Sequence, residues 1–237
     1  MEMIHDIRML PELTDDSIHI WGVHVPDMVD RINALHELLS VEEQEKAARF
    51  HRDADRFSSI AARGALRILL SGYSGTPAAE LKFSYSENGK PDVAGLLVDF
   101  NVSHSADWVV LAFGRNRNIG VDVEKIKTTA DLLPIATRYF APEEIALIEN
   151  AADTPSLFFQ IWARKEAYVK ACGSTLFAEL KSFSVPIVDG MLPEAGEKNG
   201  WFFHRLEAGS KYASAVVTDR QLAAVPCYDF GGLEWDN

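Results

Sequence analysis

The sequence predicts an α+β protein built as a pseudo-twofold pair of similar α+β halves, expected at residues 1–118 and 119–237. Three observations carry that expectation. Strand candidates follow one another through the middle of the chain and again at its end, with helical stretches ahead of each run. The stretch IWARKEAYVKACG, Ile161 to Gly173, has the apolar rhythm of a helix: at roughly 100° per residue, Phe158, Ile161, Trp162, Tyr168, Val169 and Cys172 fall on one side. An internal repeat joins the halves: Ala62-Arg63 leads to Gly72 and then AAELKFS, while Ala163-Arg164 leads to Gly173 at the same spacing and then FAELKSFS. Gly64, Ala65 and Leu69 stand where the second copy has Lys165, Glu166 and Lys170, so one site is expected, carried by the second half and lying between the two.

The elements follow in order. Ile18 to Val25 alternates like a strand, and Asp27 to Leu39 reads as a helix. SVEE at Ser40 is a capping box that opens the next helix, or a pair broken near Arg52 to Asp55, running to Leu70 and stopping at Gly72. Leu81 to Tyr85 is strand-like, and ENGKP is a turn. Asp99 to Ser105, Trp108 to Phe113 and Ile119 to Glu124 read as a three-stranded meander. Helices are expected at Asp131 to Tyr139, at Pro142 to Asn150 with proline in the first turn, and at Thr154 to Cys172 with Gly173 as C-cap. Phe183 to Val188, Trp201 to Leu206 and Tyr212 to Thr218 close the chain as strands.

Composition narrows the function classes. With 47% apolar and 24% charged residues the chain is an ordinary globular one, and a net charge of −12 argues against general nucleic-acid binding. A local cationic pocket is compatible with that balance. Lys46, Arg49, Arg52, Arg56, Arg63 and Arg67 crowd one region, either as the seat of a polyanion or as a solvated helix, since Glu42, Glu43, Glu45, Asp53 and Asp55 are interleaved. Cys172 and Cys227 have neither metal-site nor disulfide-framework spacing. The N-terminus lacks a signal-peptide pattern, and no run approaches the roughly 20 apolar residues of a membrane span. The expected setting is the cytoplasm.

The candidate chemistry lies in four places. Lys165 projects from the apolar side of its helix and must snorkel or find an anion, with Glu166 and Lys170 on the adjoining flank. Asp122 and Glu124 in GVDVE share one face of a strand, with Val121 and Val123 on the other. Such a pair is usually just an exposed face, but its like charges suit a hard cation that leaves positions open for phosphate and water. His104 in FNVSHS sits on a strand with polar groups on both faces. Lys90 follows Gly89 in a turn able to hold a phosphate, although most such turns do not.

In chain order, FNVSHS, GVDVE and WARKEAYVK, with GKP upstream, resemble the signature blocks of the 4′-phosphopantetheinyl transferase superfamily. With the helix around Lys46 to Arg67 the likeness covers most of residues 40–188, and the length resembles the surfactin-synthetase-activating type, one chain of two similar halves. The resemblance implies that fold, and a reaction: transfer of the phosphopantetheine arm of coenzyme A to a serine of an apo acyl or peptidyl carrier protein, releasing adenosine 3′,5′-bisphosphate. It further implies that Asp122, Glu124 and Glu166 bind Mg²⁺ and that Glu166 is the base. Lys170 and His104 would join Glu166 as catalytic residues, Lys170 contacting the phosphates and stabilising charge on the leaving group with Lys165 in the same cationic set. His104, Lys46, Arg56 and Lys90 would hold coenzyme A. The expected enzyme is a cytoplasmic monomer with no membrane or nucleic-acid partner. Some family members carry a second basic residue where this chain has Glu43, which implies a different grip on coenzyme A there.

Two other readings use the same residues. Another Mg²⁺-dependent phosphotransfer enzyme of the P-loop kind would need GxxxxGK[ST], which does not occur. A carrier-binding module that had lost its chemistry would show substitutions at Asp122, Glu124, Glu166 or Lys170, and all four stand.

Overall fold

The computed structural model describes residues 2–86, 89–128, 132–174 and 177–234. Its contacts divide the chain into two compact units, residues 1–116 with 222–237, and residues 117–221. The first crossing lies close to the boundary expected after residue 118. The return at residue 222 differs from the expectation of a second half running to the end of the chain.

The first unit has a five-stranded sheet in the order β1 (Glu2–Met3), β11 (Cys227–Asp229), β2 (His19–His24), β6 (Trp108–Gly114), β5 (Asp99–Ser105). The tail strand β11 runs parallel to β2, and Phe230 N donates to Gly22 O at 2.9 Å. Helices α1 (Ile32–Glu37), α2 (Val41–Ala48) and α3 (Asp53–Ser74) precede a hairpin of β3 (Phe83–Tyr85) and β4 (Pro91–Val93). Trp21, Leu35, Leu66, Leu69, Phe113 and Phe230 meet in the core.

Ser40 closes its capping box as expected: its Oγ accepts from Glu43 N at 3.3 Å, and the Glu43 carboxylate accepts from Ser40 N at 2.9 Å. Two expectations are corrected here. The stretch after β2 starts as a 3₁₀ turn, Val25–Arg31, before α1, with Pro26 in its first turn. Gly72 does not end its helix. It lies inside α3, where the missing Cβ leaves room for Leu10 Cδ1 and Ile7 Cδ1, 2.6 and 2.7 Å from where a Cβ would sit, and Gly75, at φ 72°, makes the cap.

In the second unit, β7 (Ile119–Lys125), β10 (Tyr212–Thr218), β9 (Trp201–Leu206) and β8 (Ala195–Lys198) form an antiparallel sheet in that order. The three-stranded meander therefore does not form. β5 pairs with β6, but β7 leaves them to pair along its whole length with β10. Helices α4 (Leu132–Tyr139), α5 (Pro142–Glu149) and α6 (Thr154–Cys172) complete the unit, and α6 packs on β7 and β10. The helix expected from Asp131 has its first residue outside the described residues. Asp153 caps α6 by accepting from Ser156 N at 3.1 Å, and Gly173, at φ 66°, ends it. Phe183 to Val188 is not a strand. The Phe183 carbonyl and the Val185 amide bond to buried side chains, and Pro186 has no amide to give.

Candidate active site

Gly120 sets the geometry of the second unit's site. A Cβ there would lie 2.0 Å from Ala167 O and 2.5 Å from Ala171 N, so the backbone of α6 rests directly on β7. Period-two alternation puts Gly120, Asp122 and Glu124 on one strand face, the face that α6 covers. Asp122 is consequently buried, and its Oδ1 accepts from Lys170 Nζ at 2.7 Å. The same ammonium donates to Val121 O at 3.1 Å.

Glu166 sits one turn before Lys170 on α6. Burial, then the charge of Asp122 and more weakly of Glu124, push its carboxyl up to about 7, with Lys170 opposing. Those causes place all four side chains in one electrostatic neighbourhood in which negative charge outweighs positive. Among the described residues no three His, Cys, Asp or Glu side chains form a ready-made metal cage. The donor set nevertheless fits Mg²⁺, which takes hard oxygen ligands and is usually held by one or two carboxylates, substrate phosphates and water.

Lys165 does not join this set. Its ammonium is fully buried, 2.9 Å from Glu144 Oε2, and donates to Leu180 O at 2.5 Å and Phe183 O at 2.7 Å. Its donors are committed to the protein's interior, so the phosphate-contacting role expected for it is corrected. Burial pushes Glu144 up and Lys165 down from their ordinary values, and their mutual attraction opposes both shifts. Sequence reasoning missed Glu144; the awkward placement of Lys165 was the only signal that an anion was needed.

The first unit carries the other expected residues. A cleft of about 190 Å³ is lined by Lys46, Arg63, Tyr85, Pro91 and His104, with Glu43 at its wall. Lys46, Glu43 and Tyr85 also line a second cleft, of about 620 Å³. Arg63, weighed in the sequence only as part of a charge run, lies 4.4 Å from the Phe83 ring centre and donates to Tyr85 Oη at 2.9 Å. Glu43 accepts from Arg67 Nε at 2.8 Å and lies 3.4 Å from Arg63 Nε, so it offsets cationic charge in the cleft.

Lys90 belongs to a tight turn in which its amide donates to Ser86 Oγ at 3.1 Å and Gly89 takes φ 74°; residues 87–88 of that turn lie outside the described residues. Arg56 is not among the residues lining either cleft, and pairs at 2.7 Å with Asp53 at the exposed start of α3.

Two family models match the chain. The one described as the 4′-phosphopantetheinyl transferase superfamily covers residues 118–225, and one described as 4′-phosphopantetheinyl transferase, N-terminal, covers residues 26–115. Among similar proteins, 4′-phosphopantetheinyl transferase HetI of Nostoc sp. is 35% identical over 231 residues, 93% of this chain and 92% of that protein. The 4′-phosphopantetheinyl transferase ffp of Bacillus subtilis is 33% identical over 85% of this chain and 92% of its own length. For 4′-phosphopantetheinyl transferase Sfp of Bacillus subtilis the identity is 31%, over 70% of this chain and 75% of that one.

Proposed function

The chain belongs to the 4′-phosphopantetheinyl transferase superfamily and is an enzyme of that class, and from that premise we propose that its donor is coenzyme A and its acceptor a serine of an apo acyl or peptidyl carrier protein. The serine Oγ–phosphorus bond forms, the bond to the adenosine-side phosphate breaks, and adenosine 3′,5′-bisphosphate leaves. The observation that carries this reading is the shared neighbourhood of Asp122, Glu124, Glu166 and Lys170, in which burial and like charge raise Glu166 to about 7.

In this proposal Asp122, Glu124 and Glu166 hold Mg²⁺, which when bound supplies charge neutralisation on the diphosphate. Glu166 accepts the serine proton, directly or through one water; beside Lys170 and a bound cation its carboxylate stays ionised and is a weak base, so the metal or the water assists. Lys170 balances charge developing on the leaving phosphate, having been aimed there by its bond to Asp122. Lys46, His104 and Lys90 bind the anionic nucleotide end of coenzyme A, joined by Arg63, whose guanidinium is already fixed against Phe83 and Tyr85. Arg56, engaged with Asp53, is assigned no role. Positioning and electrostatics do the work, as phosphoryl transfer requires.

A cytoplasmic monomer is part of the same proposal. No described helix is long and apolar enough to cross a membrane.

The test is the intact mass of apo carrier proteins after incubation with the protein, coenzyme A and Mg²⁺, beside Asp122→Ala and Glu166→Ala. A gain of one phosphopantetheine arm, lost in both variants, is expected. Persistence of the gain in the variants would break the site assignment, and no gain across acyl and peptidyl carriers would favour a binding module instead.

A further inference from the structure

We propose that the buried Glu144–Lys165 pair is a positioning device: it sets the rotation of α6 about its axis and so aims Glu166 and Lys170 at the Asp122 face. The inference rests on the site reading given above.

The contact of α6 with β7 is made by small residues, while Tyr168 lays its ring against Trp201 and Phe203 of β9. Ala163, Ala167 and Ala171 are buried along α6, and Gly120 meets their backbone without a Cβ. The alanine–glycine seam is non-directional: it opposes separation of helix and sheet but discriminates weakly between small rotations or slides, and the bond of Lys170 to Asp122 is the outcome that has to be aimed.

Lys165 supplies direction. It precedes Glu166, so its side chain leaves the helix roughly 100° away. Its ammonium reaches Glu144 Oε2 at 2.9 Å, Leu180 O at 2.5 Å and Phe183 O at 2.7 Å. Glu144 is itself fixed, accepting from Ala141 N at 2.7 Å and Val185 N at 2.8 Å. The rotation of α6 is thereby tied to the start of α5 and to the segment at 180–185. Arg164 adds one further tie, to Pro193 O at 2.8 Å. Apolar side chains of similar volume often replace a buried ion pair with little loss of stability, so a directional role explains this pair better than a stabilising one.

The test is the double variant Glu144→Gln/Lys165→Met, checked for folding by thermal melting and compared with wild type in two assays. In steady-state transfer, kcat is expected to fall about 100-fold with KM for coenzyme A little changed, since a misplacement of about 1 Å is enough for such a loss. In calorimetry with Mg²⁺ alone, affinity is expected to weaken roughly 10-fold, the usual effect of removing a group that orients metal ligands. Lys165→Arg keeps the charge but not the three-way ammonium geometry, and should show the same pattern.

A folded variant with wild-type kcat and Mg²⁺ affinity would overturn the proposal. Failure of both variants to fold would also overturn it, by making the pair a stability device. The calorimetry needs no carrier. A wild type that binds Mg²⁺ but modifies no carrier would therefore sink the reaction reading while the affinity ratio still decides the role of the pair.

Discussion

Glu166 lies between opposing influences: burial, Asp122 and Glu124 raise it, and Lys170 lowers it. Without a cation its carboxyl, at about 7 against an ordinary 4.5, binds protons more tightly folded than unfolded. The stability it contributes is therefore full below the unfolded value and is lost as pH rises through about 7. Metal-free Glu166→Gln should match wild type in urea unfolding at low pH and exceed it above pH 7, by on the order of 1–2 kcal/mol. Mg²⁺ should reverse that ranking, because only the wild type gains a ligand charge. Lys170→Met should move Glu166 higher still, read by carboxyl NMR; an unmoved titration would sink the assigned neighbourhood. Asp122, Glu124, Glu166 and Lys170 were legible because their spacings are local, two apart on a strand and four apart on a helix. Lys165 was legible only as a problem, since the Glu144 that answers it comes from another helix.

At the scale of elements, α6 and β7 act as one piece because Gly120 lets their backbones touch. Gly120→Ala would press a methyl against Ala167 O and Ala171 N, neither of which can swing aside as a side chain could. The expected loss is about 3 kcal/mol in urea unfolding, at the upper end of overpacking costs, with transfer activity falling too. Gly232→Ala, where a Cβ meets nothing within 4 Å, is the control and should be silent. Helix α6 was readable to its C-cap because its apolar period and Gly173 are local signals. The segment at 183–188 was not, because its apolar alternation looks like a strand while its backbone groups serve Lys165 and Glu144.

Across the whole molecule, the tail is the largest departure from a simple division. Strand β11 sits between β1 and β2, and Tyr228, Phe230 and Leu233 are buried in the first unit's core. Truncation after Gln221 should strip hydrogen-exchange protection from β2 and β6 and leave β7, β9 and β10 protected. Equal loss in both sheets would contradict two separate cores. The first unit also carries its own acid sensitivity. His19, buried beside Tyr73 and bonded to its hydroxyl at 2.9 Å, is pushed down to about 4 by burial. Its neutral form is favoured by the fold, so the stability it contributes is present above its ordinary 6.5 and lost as pH falls toward about 4. Lowering the pH from 7 to 5 should therefore reduce protection around β2, and His19→Gln should lessen that change.

The sequence by itself determined the α+β class, helix α6 with its cap at Gly173, the capping box at Ser40, and the carboxylate and lysine spacings of the candidate site. These rest on helical period, strand pleat and capping chemistry, which act over a few neighbouring residues. The tertiary structure decided which strands pair, that β7 joins β10 rather than β6, and that the tail returns to the first unit. It also decided which lysine faces the carboxylates and which is buried. Strand partners and ion-pair partners are chosen between segments distant in the chain, where burial and backbone approach, as at Gly120, select among pairings that local pattern leaves equivalent.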